Sequence, residues 1–257
     1  MIVSHQHRFI FLHSRKVAGS SIQAYLNPFL GPRDLQIGAW QESIAMGGRY
    51  NRRAILETLS PKGLDVLLRE WKIARRKGRP LTFSRVVNTT LKRKYGKATG
   101  TASGHQLAEK VASFMPDAWN SYFRFCFVRN PYERAVSDYK WRTKGSGIIS
   151  FSEYLERLAD PTRPDPEKVL PNPPTNWTVY TINDQIAVDF VGRFENLHDD
   201  MQKVCETLGL PFDSQRFPRA KQSRPDGRNY RDWYADRERE LADRIFRNEL
   251  DAFGYSF

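Results

Sequence analysis

The chain has 257 residues, 40% of them hydrophobic, which is enough to bury the core of one α/β domain. Its 41 Lys and Arg against 29 Asp and Glu give a net charge of +12, which gathers anions: a phosphorylated cofactor, an acidic polysaccharide or nucleic acid. Two cysteines exclude a disulfide framework and a zinc cluster; with no apolar signal core and no run near the ~18 apolar residues of a membrane span, a soluble cytoplasmic protein is expected.

In chain order, the apolar run Phe9 to Leu12 predicts a strand that passes through the turn His13 to Ser21 into a helix from Ser21 to Leu26. Such a turn points several backbone N–H groups at one spot, where the helix dipole also favours an anion. Lys16 can place an ammonium there, and Ser20 and Ser21 add hydroxyl donors. Lys16 precedes Gly19, the reverse of the Walker A order GxxxxGK[ST], so an ATP or GTP site of that type is disfavoured. An ordinary tight connection remains the alternative for this turn alone.

Residues 50 to 97 follow as a basic stretch, with Arg52-Arg53, Arg75-Arg76-Lys77 and Lys92-Arg93-Lys94; the spacing of Ile55, Leu59, Val66, Leu67 and Trp71 predicts helices. A second strand over Tyr122 to Val128 turns at Arg129-Asn130-Pro131 into a helix, with Pro131 suited to its first position. Arg129 then stands at the strand end and Ser137 two helical turns on, a pair able to grip a phosphate. For Arg134 the structural alternative is an ion pair with Asp138 one turn away. The proline-rich segment 161 to 174 predicts a loop near the mouth of a site. A third strand, Ile186 to Phe194, leads into a helix from Asn196 to Leu208 closed by Gly209 and Pro211. Three strands joined by helical crossovers predict an α/β fold with a central parallel sheet flanked by helices.

The two loop segments resemble those of the PAPS-dependent sulfotransferases (PAPS, 3'-phosphoadenosine-5'-phosphosulfate), in their carbohydrate branch (family 2-like, heparan sulfate 2-O-sulfotransferase-like). That family's "PKxGGTS" loop corresponds to Arg15, Lys16, Val17, Ala18, Gly19, Ser20 and Ser21, with Arg15 in place of proline and Ala18 in place of glycine. Its "RNPxxRxxSxY" segment is matched in full by Arg129, Asn130, Pro131, Arg134, Ser137 and Tyr139. Val191 to Leu197 resembles its "vGrfEnl" segment, and Leu250 to Tyr255 its terminal "yxxDxxxFgY", shortened by one residue.

The resemblance implies a single sulfotransferase domain over residues 1 to 257, P-loop-like and three-layered, with a basic helical insertion at about 50 to 97 where acceptor specificity is expected. It implies that residues 15 to 21 hold the 5'-phosphosulfate of PAPS, that Arg129 and Ser137 hold its 3'-phosphate, and that adenosine 3',5'-bisphosphate is the product. Lys16 would stabilise the departing phosphate and His105, after Gly104, would be the base, with His13 as its rival; no metal is expected. The expected partner is a glycan or glycoconjugate hydroxyl, not nucleic acid. Three alternatives stay open: a kinase-like transferase, a basic nucleotide- or nucleic-acid-binding protein, and an inactive relative that binds the nucleotide only.

Overall fold

A computed structural model describes residues 1–100, 104–144, 147–160, 162–217 and 228–257; Pro161, the first residue of the proline-rich segment, lies outside them. The chain opens with β1 (Ile2–Ser4), β2 (Phe9–Leu12), α1 (Gly19–Leu26), a 3-10 turn, β3 (Leu35–Gln36) and α2 (Trp40–Ala45). The basic stretch forms α3 (Arg52–Thr58), α4 (Pro61–Arg76) and α5 (Phe83–Tyr95). Then come α6 (Ala108–Phe114), α7 (Pro116–Ser121), β4 (Phe123–Val128), α8 (Pro131–Thr143) and α9 (Phe151–Ala159). After α10 (Trp177–Tyr180), the small hairpin β5 (Thr181–Ile182) and β6 (Gln185–Ile186), and β7 (Phe190–Arg193), the chain ends with α11 (Leu197–Thr207) and α12 (Asp236–Phe253).

The main sheet has the order β3-β1-β2-β4-β7. β2, β4 and β7 run parallel, with Leu12 opposite Cys126 and Cys126 opposite Val191, so their carboxyl ends share one edge. β1 and β3 add an antiparallel margin that three predicted strands did not include. Both faces are covered, as a parallel sheet requires. Ile10, Leu12, Cys126 and Val128 face Val87 and Leu91 of α5 and Val111 of α6. Phe9, Phe11, Phe125 and Phe127 face Ile22 and Leu26 of α1 and Met201 and Val204 of α11. Each such side chain removed from water contributes about 1.5–3 kcal/mol. Both cysteines are free and buried, as core residues.

The third strand is shorter than predicted. Asp189 accepts the backbone N–H and the guanidinium of Arg124, pinning the chain where β7 begins, while Gln185–Ile186 pairs with Thr181–Ile182 instead. In the basic stretch the helices form as predicted, but of the five apolar residues that marked them only Val66 is core; Ile55, Leu59 and Trp71 are exposed. Arg134 does not pair with Asp138. It turns to α12 and meets Glu249, both nearly inaccessible, and Tyr180 donates to the same carboxylate. Asp138 instead forms an ion pair with Arg142 at 3.1 Å. Among the described residues no helix is long and apolar enough to cross a membrane.

Candidate active site

The turn after β2 alternates in exposure. Val17 is fully buried in the α1–α11 side of the core, while Lys16, Ala18, Ser20 and Ser21 stay partly exposed. Two residues take left-handed backbone, Lys16 at φ 59° and Ala18 at φ 61°. That conformation explains why the related loops carry glycine at the second position: a side chain there costs about 1–2 kcal/mol. Ala18 then serves as the N-cap of α1, accepting from the N–H groups of Ser21 and Ile22 through its carbonyl. No side chain caps the helix among the described residues, so the amides of Gly19 and Ser20, ahead of those that Ala18 accepts, stand at the helix end without a capping side chain.

Gly19 is needed for space. A Cβ at this position would lie 1.8 Å from Cδ2 of His13, whose ring rests directly on the loop. His13 is buried against Phe11, and its Nδ1 has no partner among the described residues. Its carbonyl oxygen lies 2.7 Å from Nδ1 of His105. A carbonyl can only accept, so this Nδ1 carries the proton and Nε2 is the basic nitrogen of the neutral ring. The two imidazoles meet edge to face at 4.7 Å. Burial pulls His105 down to about 3, against the opposing pull of its bond to His13, and burial holds His13 well below its ordinary range. The two rival histidines thus form one unit in which His13 fixes the tautomer of His105. His105 lies in the connection just before α6, outside the helix.

At the end of β4, Asn130 accepts from the N–H groups of Tyr132 and Glu133 and so caps α8, with Pro131 in its first position. The guanidinium of Arg129 donates to the carbonyl of Lys16 at 3.2 Å, pairs with Glu133 at 2.7 Å and lies 4.1 Å from the Phe194 ring centroid. Ser137 is buried, and its hydroxyl has no partner among the described residues. One turn further, Trp141 is 65% exposed with Lys16 Nζ 5.9 Å from its ring centroid, and it helps line a cavity of about 440 Å³ with Lys140, Arg142, Lys144 and Lys168.

Arg15 is placed differently from its neighbours in the loop. Its guanidinium donates to the carbonyls of Pro173 (2.5 Å) and Pro174 (2.9 Å), and Asn176 bonds both its N–H and its C=O. Burial lowers it to about 10 despite Asp138 at 3.6 Å. Arg15 therefore ties the proline-rich loop to the turn after β2. The third segment joins in: Glu195 accepts from the Asn130 N–H (2.7 Å) and from the Tyr255 hydroxyl (3.0 Å).

The sequence reading did not single out Glu133, Phe194 or Trp141. Trp141 was findable, because it lies four residues after Ser137 and shares its helix face. Phe194 was not, because its contact with Arg129 crosses from β7 to β4.

A mostly parallel sheet flanked by helices, with strand–loop–helix turns gathered at its carboxyl edge, is a P-loop-like fold. The chain belongs to the sulfotransferase family, whose sequence model matches residues 1–256. It is 28% identical over 129 residues to carbohydrate sulfotransferase 11 of Danio rerio, covering 38% of this chain and 36% of that protein. This chain thus spans about a third of that relative's length. It is also 32% identical over 101 residues to an uncharacterized protein of Archaeoglobus fulgidus, covering 36% of this chain and 72% of the other. No solved structure gives a significant match.

Proposed function

We propose that this protein transfers a sulfuryl group from PAPS to a hydroxyl of a carbohydrate acceptor. The observation that carries the reading is the junction of its two anion-gripping segments: Arg129 donates to the Lys16 carbonyl while Ser137, on the helix that Arg129 precedes, keeps a buried hydroxyl without a partner among the described residues. An unpaired buried hydroxyl costs about 1–3 kcal/mol, which a bound phosphate oxygen would repay. These residues fit a nucleotide bearing both a 3'-phosphate and a 5'-phosphosulfate.

When bound, PAPS supplies the activated sulfuryl group. In this reading Arg129 and Ser137 hold the 3'-phosphate, with Arg129 shifting part of its bonding from Glu133. The backbone of residues 15 to 21 and the hydroxyls of Ser20 and Ser21 hold the phosphosulfate. Lys16 stabilises negative charge on the departing phosphate, the part a divalent ion plays in phosphoryl transfer. His105, neutral and oriented through His13, takes the acceptor proton at Nε2. An anion held beside it raises its basicity from the low value of the free site. The exposed Trp141 ring next to Lys16 offers a flat apolar face for a sugar ring.

The test is transfer of radiolabelled sulfate from PAPS to a panel of polysaccharides. Lys16→Ala and His105→Ala are each expected to lower turnover by ~10²–10⁴-fold. Unchanged turnover in both would overturn the mechanism.

A further inference from the structure

Helix α4 carries an apolar stripe that the other described residues leave exposed. Leu64, Leu68 and Trp71 recur at i, i+4 and i+7, hence on one face, and are 46%, 60% and 47% exposed. The helix buries Val66 and Ala74 instead. Exposed Lys72 and Arg75 border the stripe, with exposed Arg69 and Arg76 further round the helix, and the Arg75 guanidinium stands 5.7 Å from the Trp71 ring centroid. The two acids of the helix are engaged elsewhere, Asp65 with Arg93 of α5 at 3.5 Å and Glu70 with Arg79 at 4.0 Å. Helix α3, packed against α4, continues both features. Leu56 and Leu59 are 57% and 59% exposed, and Leu56 lines a cavity of about 770 Å³ together with Arg33 and Arg52. That cavity also contains His5 and Tyr122, which precede β2 and β4, so it lies at the amino edge of the parallel strands, away from the turns of the active site.

A contiguous apolar surface on a soluble face marks an interaction site, and its border identifies the partner. A second copy joined by a twofold axis would set these cations against one another. Nucleic acid would use the cations and leave the leucines in water. A bilayer with anionic headgroups uses both, since leucine and tryptophan enter the acyl boundary while arginine and lysine stems lie along it and their charged ends meet the headgroups. We propose that α4, with the exposed side chains of α3, docks this protein on a membrane surface containing anionic phospholipid, lying in the interface without crossing it.

The test is co-sedimentation of the full chain with vesicles of phosphatidylcholine containing about 30% phosphatidylserine, and with vesicles of phosphatidylcholine alone. The chain is expected to pellet with the former only, and less at high salt. The triple variant Leu64→Ser, Leu68→Ser, Trp71→Ser is expected to lose at least ~10-fold in partitioning, and Arg75→Gln with Arg76→Gln several-fold. Because all five side chains are exposed in the folded chain, both variants should keep the wild-type thermal midpoint and the response to adenosine 3',5'-bisphosphate, which separates lost docking from lost folding. No retention on phosphatidylserine vesicles would overturn the proposal. So would equal retention of wild type and triple variant, or self-association abolished by the triple variant with no vesicle binding by either.

Discussion

The closest steric demand in the site is at Gly19, and Gly19→Ala tests it. The added Cβ would sit 1.8 Å from Cδ2, 2.1 Å from Nε2 and 2.8 Å from Cγ of His13, overlaps that no rotation of a methyl group relieves. His13 is buried and stacked on Phe11, so the ring or the loop must shift. Overpacking of this kind costs about 1–3 kcal/mol. At about 2–4 °C per kcal/mol for a chain of this size, the melting temperature should fall by roughly 2–12 °C. A shift of His13 also moves the carbonyl that orients His105, and a displacement near 1 Å costs turnover ~10²-fold. Differential scanning calorimetry and the sulfate-transfer assay read the two effects separately. The double variant Gly19→Ala, His13→Ala removes the clash and should recover part of the Tm loss relative to His13→Ala alone, but not the activity. An unchanged Tm for Gly19→Ala, or a double variant no better than the sum of the singles, would refute the steric argument.

Other outcomes follow from the same geometry. Ala18→Gly removes a left-handed strain and should raise stability by ~1 kcal/mol, readable as a higher urea midpoint; a lower midpoint would contradict this. Arg134→Met leaves Glu249 buried without its cation and should cost about 3–5 kcal/mol, whereas the pair Arg134→Met, Glu249→Met should cost less; a double variant as unstable as the single would refute the pairing. Burial places His105 at about 3 when folded against an ordinary 6.5, so below pH 6.5 the unfolded chain binds a proton that the folded chain refuses. That part of the stability is complete above pH 6.5 and falls by up to ~1.4 kcal/mol per pH unit as pH drops toward 3, with His13 adding the same sign. Denaturation midpoints across this range should therefore be flatter in His105→Gln, and an equal slope would contradict the assignment. With Lys16 in the place of a divalent ion, transfer should persist in EDTA; loss restored by Mg²⁺ would overturn that role.

The parts of the fold that were legible in the sequence are those written in local pattern. Phe9 to Leu12 and Phe125 to Val128 are unbroken apolar runs because both sheet faces are covered, and Asn130-Pro131 and Gly209 are end signals of single helices. β1 and β3 escaped because strands of 3 and 2 residues hold too few side chains for any period to show. The turns after β2 and β4 were legible as turns, but their wiring was not. Nothing local in Arg15 distinguishes a phosphate ligand from a clamp on Pro173 and Pro174, 158 residues away. Likewise the Arg134–Asp138 spacing is right for an ion pair, and the alternative, Glu249, lies 115 residues on in α12. The joining of His13 and His105 into one unit depends on a contact spanning 92 residues, beyond reach of spacing arguments.

The central claim is that Arg129 and Ser137 select a nucleotide by its 3'-phosphate. Thermal shift with adenosine 3',5'-bisphosphate and with AMP tests it most directly, because any ligand that binds only the folded chain raises its Tm. The account predicts a rise with adenosine 3',5'-bisphosphate alone, diminished in Arg129→Ala and in Ser137→Ala. An equal response to both nucleotides, or a rise untouched by either substitution, would contradict it.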